Sequence, residues 1–266
     1  MPSFLTGRLR YPDGDLVLYS AQPWHGPPRP VVVLIHGALR WSDLLTHWAE
    51  ALADIADVVL VDLPGHGWSD AVMPATLDAL ATRVMDGVKA GLAGRDVLLV
   101  GESLGGLVAL AMGGMSDLGP VRAVLAADPP FVTRKLVNVH ANFRIKMREV
   151  PENKFYKSLA FEILGITDKL TEDRIYYPVL DALKVPATIV TGDEEQFPIR
   201  QRTGVACLMD GADRFVLERF YGEKVKVHQL KDSGHLLLAD RVEACLALMK
   251  PLLAEVASRR EAAPIA

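Results

Sequence analysis

The chain predicts an α/β protein: a mostly parallel, eight-stranded sheet flanked by helices, with one helical insertion. Three observations carry this expectation. Short, continuous aliphatic runs at residues 31–35, 58–61, 97–100, 121–126 and 187–191 have the composition of strands buried on both faces. Stretches with apolar residues at helical spacing separate most of them, as parallel strands require. One of the runs passes directly into Gly101-Glu102-Ser103-Leu104-Gly105 and then into small, apolar residues. That order reads as buried strand, sharp turn and helix.

Taken in order, residues 5–21 alternate around Asp13-Gly14 and read as a β-hairpin. The proline-rich segment from Pro23 to Pro30 reads as a short surface connection, and the third strand, 31–35, ends abruptly at His36-Gly37-Ala38-Leu39. Leu44, Leu45, Trp48, Leu52 and Ile55 have helical spacing. The fourth strand leads into Asp62-Leu63-Pro64-Gly65-His66-Gly67-Trp68-Ser69, and a second helix spans 76–92. The fifth strand carries the Ser103 turn, and the sixth, 121–126, ends in Asp128-Pro129-Pro130.

From about Phe131 to Leu183 the pattern changes, with no buried strand but helical spacing at Leu136, Val139, Phe143, Met147 and again at Phe155, Leu159, Ile163. The expected organisation is therefore a core of residues 1–128 and 185–266, with a helical cap inserted at 129–184. After the insertion come the seventh strand, a helix around 215–220, the eighth strand at 225–230, and a last helix with Leu238, Val242, Cys245, Met249, Leu252 and Val256 on one face. That helix runs into the polar Arg259-Arg260-Glu261.

Half of the 266 residues are hydrophobic, enough to build a full core without metals or staples. Acidic residues number 33 against 29 basic, and no block of like charge stands out, which argues against a nucleic-acid partner and for a small-molecule substrate. Cys207 and Cys245 are the only cysteines and lie far apart, so reduced, buried thiols are expected. No cluster of His, Cys, Asp or Glu has metal-site spacing, and no cofactor is expected. The first residues lack a charged segment followed by an apolar one, and no apolar run approaches the roughly 18 residues of a membrane span. The expectation is a cytoplasmic protein without a membrane partner; the oligomeric state stays open.

In the strand–turn–helix context Ser103 is held at a helix N-terminus, where backbone N–H groups favour developing negative charge, as a nucleophile needs. A serine hydroxyl also needs a base, normally a histidine oriented by a carboxylate. His235, in Lys231-Asp232-Ser233-Gly234-His235-Leu236 after the last strand, falls on the same sheet edge as Ser103, where active sites of open α/β sheets collect.

With His36-Gly37, Asp62 to Ser69, Gly101-Glu102-Ser103-Leu104-Gly105 and Gly234-His235 each following its strand, the chain resembles the α/β-hydrolase superfamily over nearly its whole length. The order nucleophile, acid, histidine and a helical cap after the sixth strand fit that resemblance. It implies an oxyanion hole from the backbone N–H groups of Ala38 and Leu104. It also implies an acid a few residues beyond the seventh strand, where the matching position in Gly192-Asp193-Glu194-Glu195-Gln196-Phe197-Pro198 holds Glu195 instead of aspartate. Asp193 is the second candidate. Asp128 is the third, because some relatives place the acid after the sixth strand.

The expected catalytic set is thus Ser103, His235 and Glu195, in a serine hydrolase of small carboxylic esters or thioesters working through an acyl-enzyme. Carbon–carbon bond cleavage or lyase chemistry with the same triad is the alternative within enzymes. A slow-turnover ligand-binding module is the alternative outside them.

Overall fold

The computed structural model describes residues 5–20, 29–167, 169–198 and 204–261. The first four residues and Pro23, Pro27 and Pro28 of the expected surface connection lie outside them, as do the side chains of Arg259, Arg260 and Glu261. The strands are β1 (Leu5–Tyr11), β2 (Gly14–Ser20), β3 (Val31–Ile35), β4 (Asp57–Val61), β5 (Val97–Glu102), β6 (Val121–Ala127), β7 (Ala187–Gly192) and β8 (Val225–Leu230). They form one eight-stranded sheet in the order β1-β2-β4-β3-β5-β6-β7-β8. The β1–β2 and β2–β4 pairs are antiparallel, and from β4 to β8 every pair is parallel. The helices are α1 (Trp48–Ala51), α2 (Leu77–Gly91), α3 (Leu104–Gly113), α4 (Val137–Glu149), α5 (Lys154–Leu164), α6 (Gly211–Tyr221), α7 (Leu237–Asp240) and α8 (Val242–Glu261).

Alternate residues of the central strands supply two cores, because successive side chains of a strand point to opposite faces. Val31, Val33, Ile35, Val97 and Leu99 belong to one cluster, which also takes in α2, α3 and the apolar residues of α4 and α5. Val32, Leu34, Leu98 and Val100 belong to the other, with Trp48 and the Cys245–Met249–Val256 face of α8. Burial on both sides is why these strands read as unbroken aliphatic runs.

Two expected helices are broken. The stretch from Leu44 to Ile55 is a 3₁₀ turn at Ser42–Leu45 followed by the single turn of α1. The Asp62 carboxylate accepts from both the backbone N–H and the hydroxyl of Ser42, at 3.0 and 2.7 Å, and so fixes this start to the loop after β4. The stripe beginning at Leu238 divides into α7 and α8 at Arg241. The Leu238 carbonyl that would accept from residue 242 in a continuous helix instead accepts from the Trp48 indole at 2.9 Å.

Between β6 and β7 the described residues form α4, α5, two 3₁₀ turns and isolated bridges such as Val132 with Ile175. Tyr176 donates to the Ile163 carbonyl at 2.7 Å, and Phe155 packs edge-on against His66 of the β4 loop. Among the described residues, no helix is long and apolar enough to cross a membrane.

Candidate active site

The centre of the site follows from the tight passage between β5 and α3. Ser103, the one residue between them, has φ 59° and ψ −122°, a backbone conformation that a residue with a side chain rarely adopts. Its N–H donates to the Ala127 carbonyl at 2.8 Å, and its own carbonyl accepts from Gly106 and Leu107 in the first turn of α3. The flanking glycines are required by close approach. A Cβ on Gly101 would stand 2.1 Å from the Gly105 carbonyl oxygen, and one on Gly105 would stand 2.2 Å from that of Ile35.

One strand over, β6 is followed directly by Asp128, which is fully buried. Its Oδ2 accepts from His235 Nδ1 at 2.6 Å and from the Leu208 N–H at 2.7 Å. Its Oδ1 accepts from the Thr191 hydroxyl at 2.7 Å and from the Met209 N–H at 3.1 Å. Asp128 itself sits at φ 46° and is anchored by its N–H on the Val190 carbonyl. A carboxylate so supplied with donors is held in one orientation. His235 is buried too, with its backbone N–H on the Val205 carbonyl.

The structure places a carboxylate other than the expected one on the imidazole. Glu195 is not on His235; its Oε1 accepts from Arg214 Nη1 of α6 at 2.8 Å. The loop after β7 runs beside residue 207, bridged at Glu195 and Cys207, and faces its glutamate toward α6. Asp193, the second candidate, accepts from the Ser233 N–H at 3.2 Å and so fixes the loop that leads to His235. Asp128, third in the sequence ranking, is the carboxylate brought to the imidazole. The available signal was a carboxylate directly after the strand next to the serine strand, ahead of two prolines.

The loop after β3 is braced by two histidines. His36 Nε2 accepts from the Leu63 N–H at 3.0 Å, while Nδ1 faces the Gly37 carbonyl at 2.7 Å. His66 Nε2 accepts from the Leu39 N–H at 3.2 Å, while Nδ1 faces the Pro64 carbonyl at 3.1 Å. Each ring thus accepts at one nitrogen and donates at the other, which is the neutral form. Burial pushes the pKa of His36 down to about 3 and lowers that of His66 as well.

Glu102, to which the sequence assigned no role, ties the surrounding segments together. Its buried carboxylate accepts from the Leu238 N–H, three residues past His235, at 2.9 Å. It also pairs with Arg40 of the loop after β3 at 3.4 Å. Burial raises its pKa, against the opposing influence of His235, the Leu238 N–H and Arg40.

Both cysteines are buried and unpaired, and burial pushes each thiol up to about 12, far from the thiolate a nucleophile needs. Among the described residues, no group of three or more His, Cys, Asp or Glu is placed to hold a metal ion.

Similarity to known proteins agrees with this architecture. The chain is 30% identical over 172 residues to a pimeloyl-[acyl-carrier protein] methyl ester esterase of Xylella fastidiosa, covering 60% of this chain and 63% of the relative. A protein of the same name from Xanthomonas campestris is 35% identical over 109 residues, 41% of this chain and 40% of the relative. The chain thus matches less than two thirds of the length of these curated relatives. Among solved structures, the thioesterase domain from the curacin biosynthetic pathway superposes with a TM-score of 0.63 at 21% identity, covering 92% of this chain and 98% of that one. A serine hydrolase involved in carbazole degradation superposes at 0.70 and 16% identity, covering 95% and 99%. The model of the alpha/beta hydrolase family matches residues 32–248, and with that span the chain belongs to the alpha/beta hydrolase family.

Proposed function

We propose that the protein is a serine-dependent hydrolase of carboxylic esters or thioesters, with Ser103 as nucleophile, His235 as base and Asp128 as the carboxylate that orients it. The observation that carries this reading is the buried Asp128–His235 pair, on the same sheet edge as the Ser103 turn. In this mechanism the Ser103 hydroxyl oxygen bonds to the acyl carbon while its proton passes to His235 Nε2. The Asp128 carboxylate stabilises the resulting imidazolium through Nδ1. The backbone N–H groups of Ala38 and Leu104 receive the oxyanion, and the two histidines behind residues 37–39 keep that loop from moving as charge builds. Collapse of the adduct breaks the bond to the alcohol or thiol, which takes the proton from His235. Water, activated by the same imidazole, then releases the acid and restores Ser103. Residues 129–184 act as a cap over this site.

The test is labelling by a fluorophosphonate together with turnover of p-nitrophenyl acetate. Ser103→Ala should lose the label and about 10⁴-fold or more in kcat, with an unchanged fold by circular dichroism. Asp128→Asn should cost about 10³- to 10⁴-fold in kcat with little change in KM. Glu195→Gln should stay near normal. Labelling retained in Ser103→Ala would sink the proposal, and a crippled Glu195→Gln beside a normal Asp128→Asn would return the acid to the loop after β7.

A further inference from the structure

Ser103 forms part of the wall of a small cavity of about 30 Å³. Leu136, Val139 and Phe143 enter it from α4 and its approach, Leu159 and Ile163 from α5, and Leu208 from the loop that crosses Asp128. Among the described residues of this wall, Ser103 alone has a polar side chain. The nearby cations of the insertion are engaged elsewhere. Lys135 is paired with Asp210 and Asp213, Arg144 bonds the Thr167 carbonyl and the Thr171 hydroxyl, and Lys146 pairs with Glu149.

Resting on the serine-hydrolase reading above, we propose that this cavity is the acyl subsite and selects short, uncharged aliphatic acyl groups of about two to four carbons. The assignment to the acyl side follows from the walls. Ala38 and Leu104, the donors on either side of the carbonyl oxygen, belong to the cavity. His235, which must reach the departing oxygen, is not among the residues that line it, so the alcohol side lies outside. The size follows from the volume, since a water-sized group needs about 10–15 Å³ on this measure and the whole cavity holds only about two of them. The charge selection follows from the walls again, because a carboxylate entering them gives up its water and, away from Ser103 and the donors reserved for the carbonyl oxygen, meets only apolar side chains.

The experiment holds the alcohol constant and varies the acyl group. Rates of acid release from ethyl acetate, ethyl butyrate, ethyl octanoate and monoethyl succinate are followed in a pH-stat with the wild-type chain. Monoethyl succinate has butyrate's chain length with a terminal carboxylate. Expected are a kcat/KM for butyrate at least about 100-fold above monoethyl succinate and at least about 10-fold above octanoate. Phe143→Ala, or the milder Val139→Ala, should raise octanoate relative to butyrate by about 10-fold while leaving succinate disfavoured. Monoethyl succinate turned over as fast as butyrate would overturn the charge selection. Octanoate preferred over butyrate, and unmoved by either variant, would overturn the size selection. Turnover of no ester, together with absence of fluorophosphonate labelling, would instead overturn the serine-hydrolase reading and this inference with it.

Discussion

At the scale of single residues, the choice between Asp128 and Glu195 is decided by which hydrogen-bond donors surround each carboxylate. Asp128 has no exposed surface and is met by Thr191, Leu208, Met209 and His235, whereas Glu195 is half-buried and met by one arginine. The Glu195–Arg214 pair contributes about 1 kcal/mol or less to stability, as partly exposed pairs do. His36 and His66 make a different kind of contribution, because both are folded as neutral acceptors with lowered pKa values. An unfolded histidine takes up a proton near pH 6.5 and these folded ones do not, so their contribution is complete above about pH 6.5. It is lost progressively as pH falls toward their folded values. The melting temperature should hold from pH 8 to about 7 and decline between about 6.5 and 5, before most carboxylates titrate. In His66→Gln, whose amide oxygen still accepts from Leu39, that decline should be shallower; an identical acid slope would remove His66 as a cause.

At the scale of elements, one carboxylate holds α6 to both ends of the insertion. Asp213, buried in the first turn of α6, receives the Tyr177 hydroxyl at 2.5 Å and the Lys135 ammonium. It also closes the capping box with Asp210, its Oδ2 accepting from the Asp210 N–H at 3.0 Å. Lys135 lies just before α4 and Tyr177 lies in the 3₁₀ turn before the chain returns to β7, so this residue fastens the segment where it leaves the sheet and where it returns. Asp213→Asn removes the charge that faces Lys135 and should lower stability by about 1–3 kcal/mol. Amide hydrogen exchange should speed up first around residues 131–137 and 175–181, ahead of the central strands. Uniform acceleration across the sheet would show that the carboxylate serves the core and not this attachment.

At the scale of the whole molecule, the insertion and the sheet share one apolar core. Phe143, Met147, Phe155, Leu159 and Ile163 join the same cluster as Leu99, Leu104 and Leu107. The strands on either side, β6 and β7, pair directly from Val124↔Ala187 to Ala127↔Val190, so the sheet does not depend on the intervening residues for its register. Replacing 131–183 by a short linker should therefore leave the strand signal in circular dichroism. It should also expose a contiguous apolar face, producing strong binding of a hydrophobic dye and concentration-dependent aggregation. A monomeric, dye-negative product with unchanged ester preference would mean that these residues are neither a cover for the core nor a wall of the site.

By itself the sequence determined the local features of this protein. The aliphatic runs specified strands buried on both faces, the spacing of Leu136 to Met147 and Phe155 to Ile163 specified α4 and α5, and the glycines around Ser103 specified a turn too tight for side chains. These are legible because periodicity and steric exclusion act between residues close in the chain. The tertiary structure decided what depends on distant partners. The Leu238 carbonyl, taken by Trp48, ends a helix that the apolar stripe alone would continue. The carboxylate on His235 comes from 107 positions away, selected by the adjacency of β5, β6 and β7 and by the donors of residues 208 and 209. A loop position counted from the nearest strand end carries no information about those donors, and for that reason the count pointed to Glu195 while the fold brought Asp128 to the imidazole.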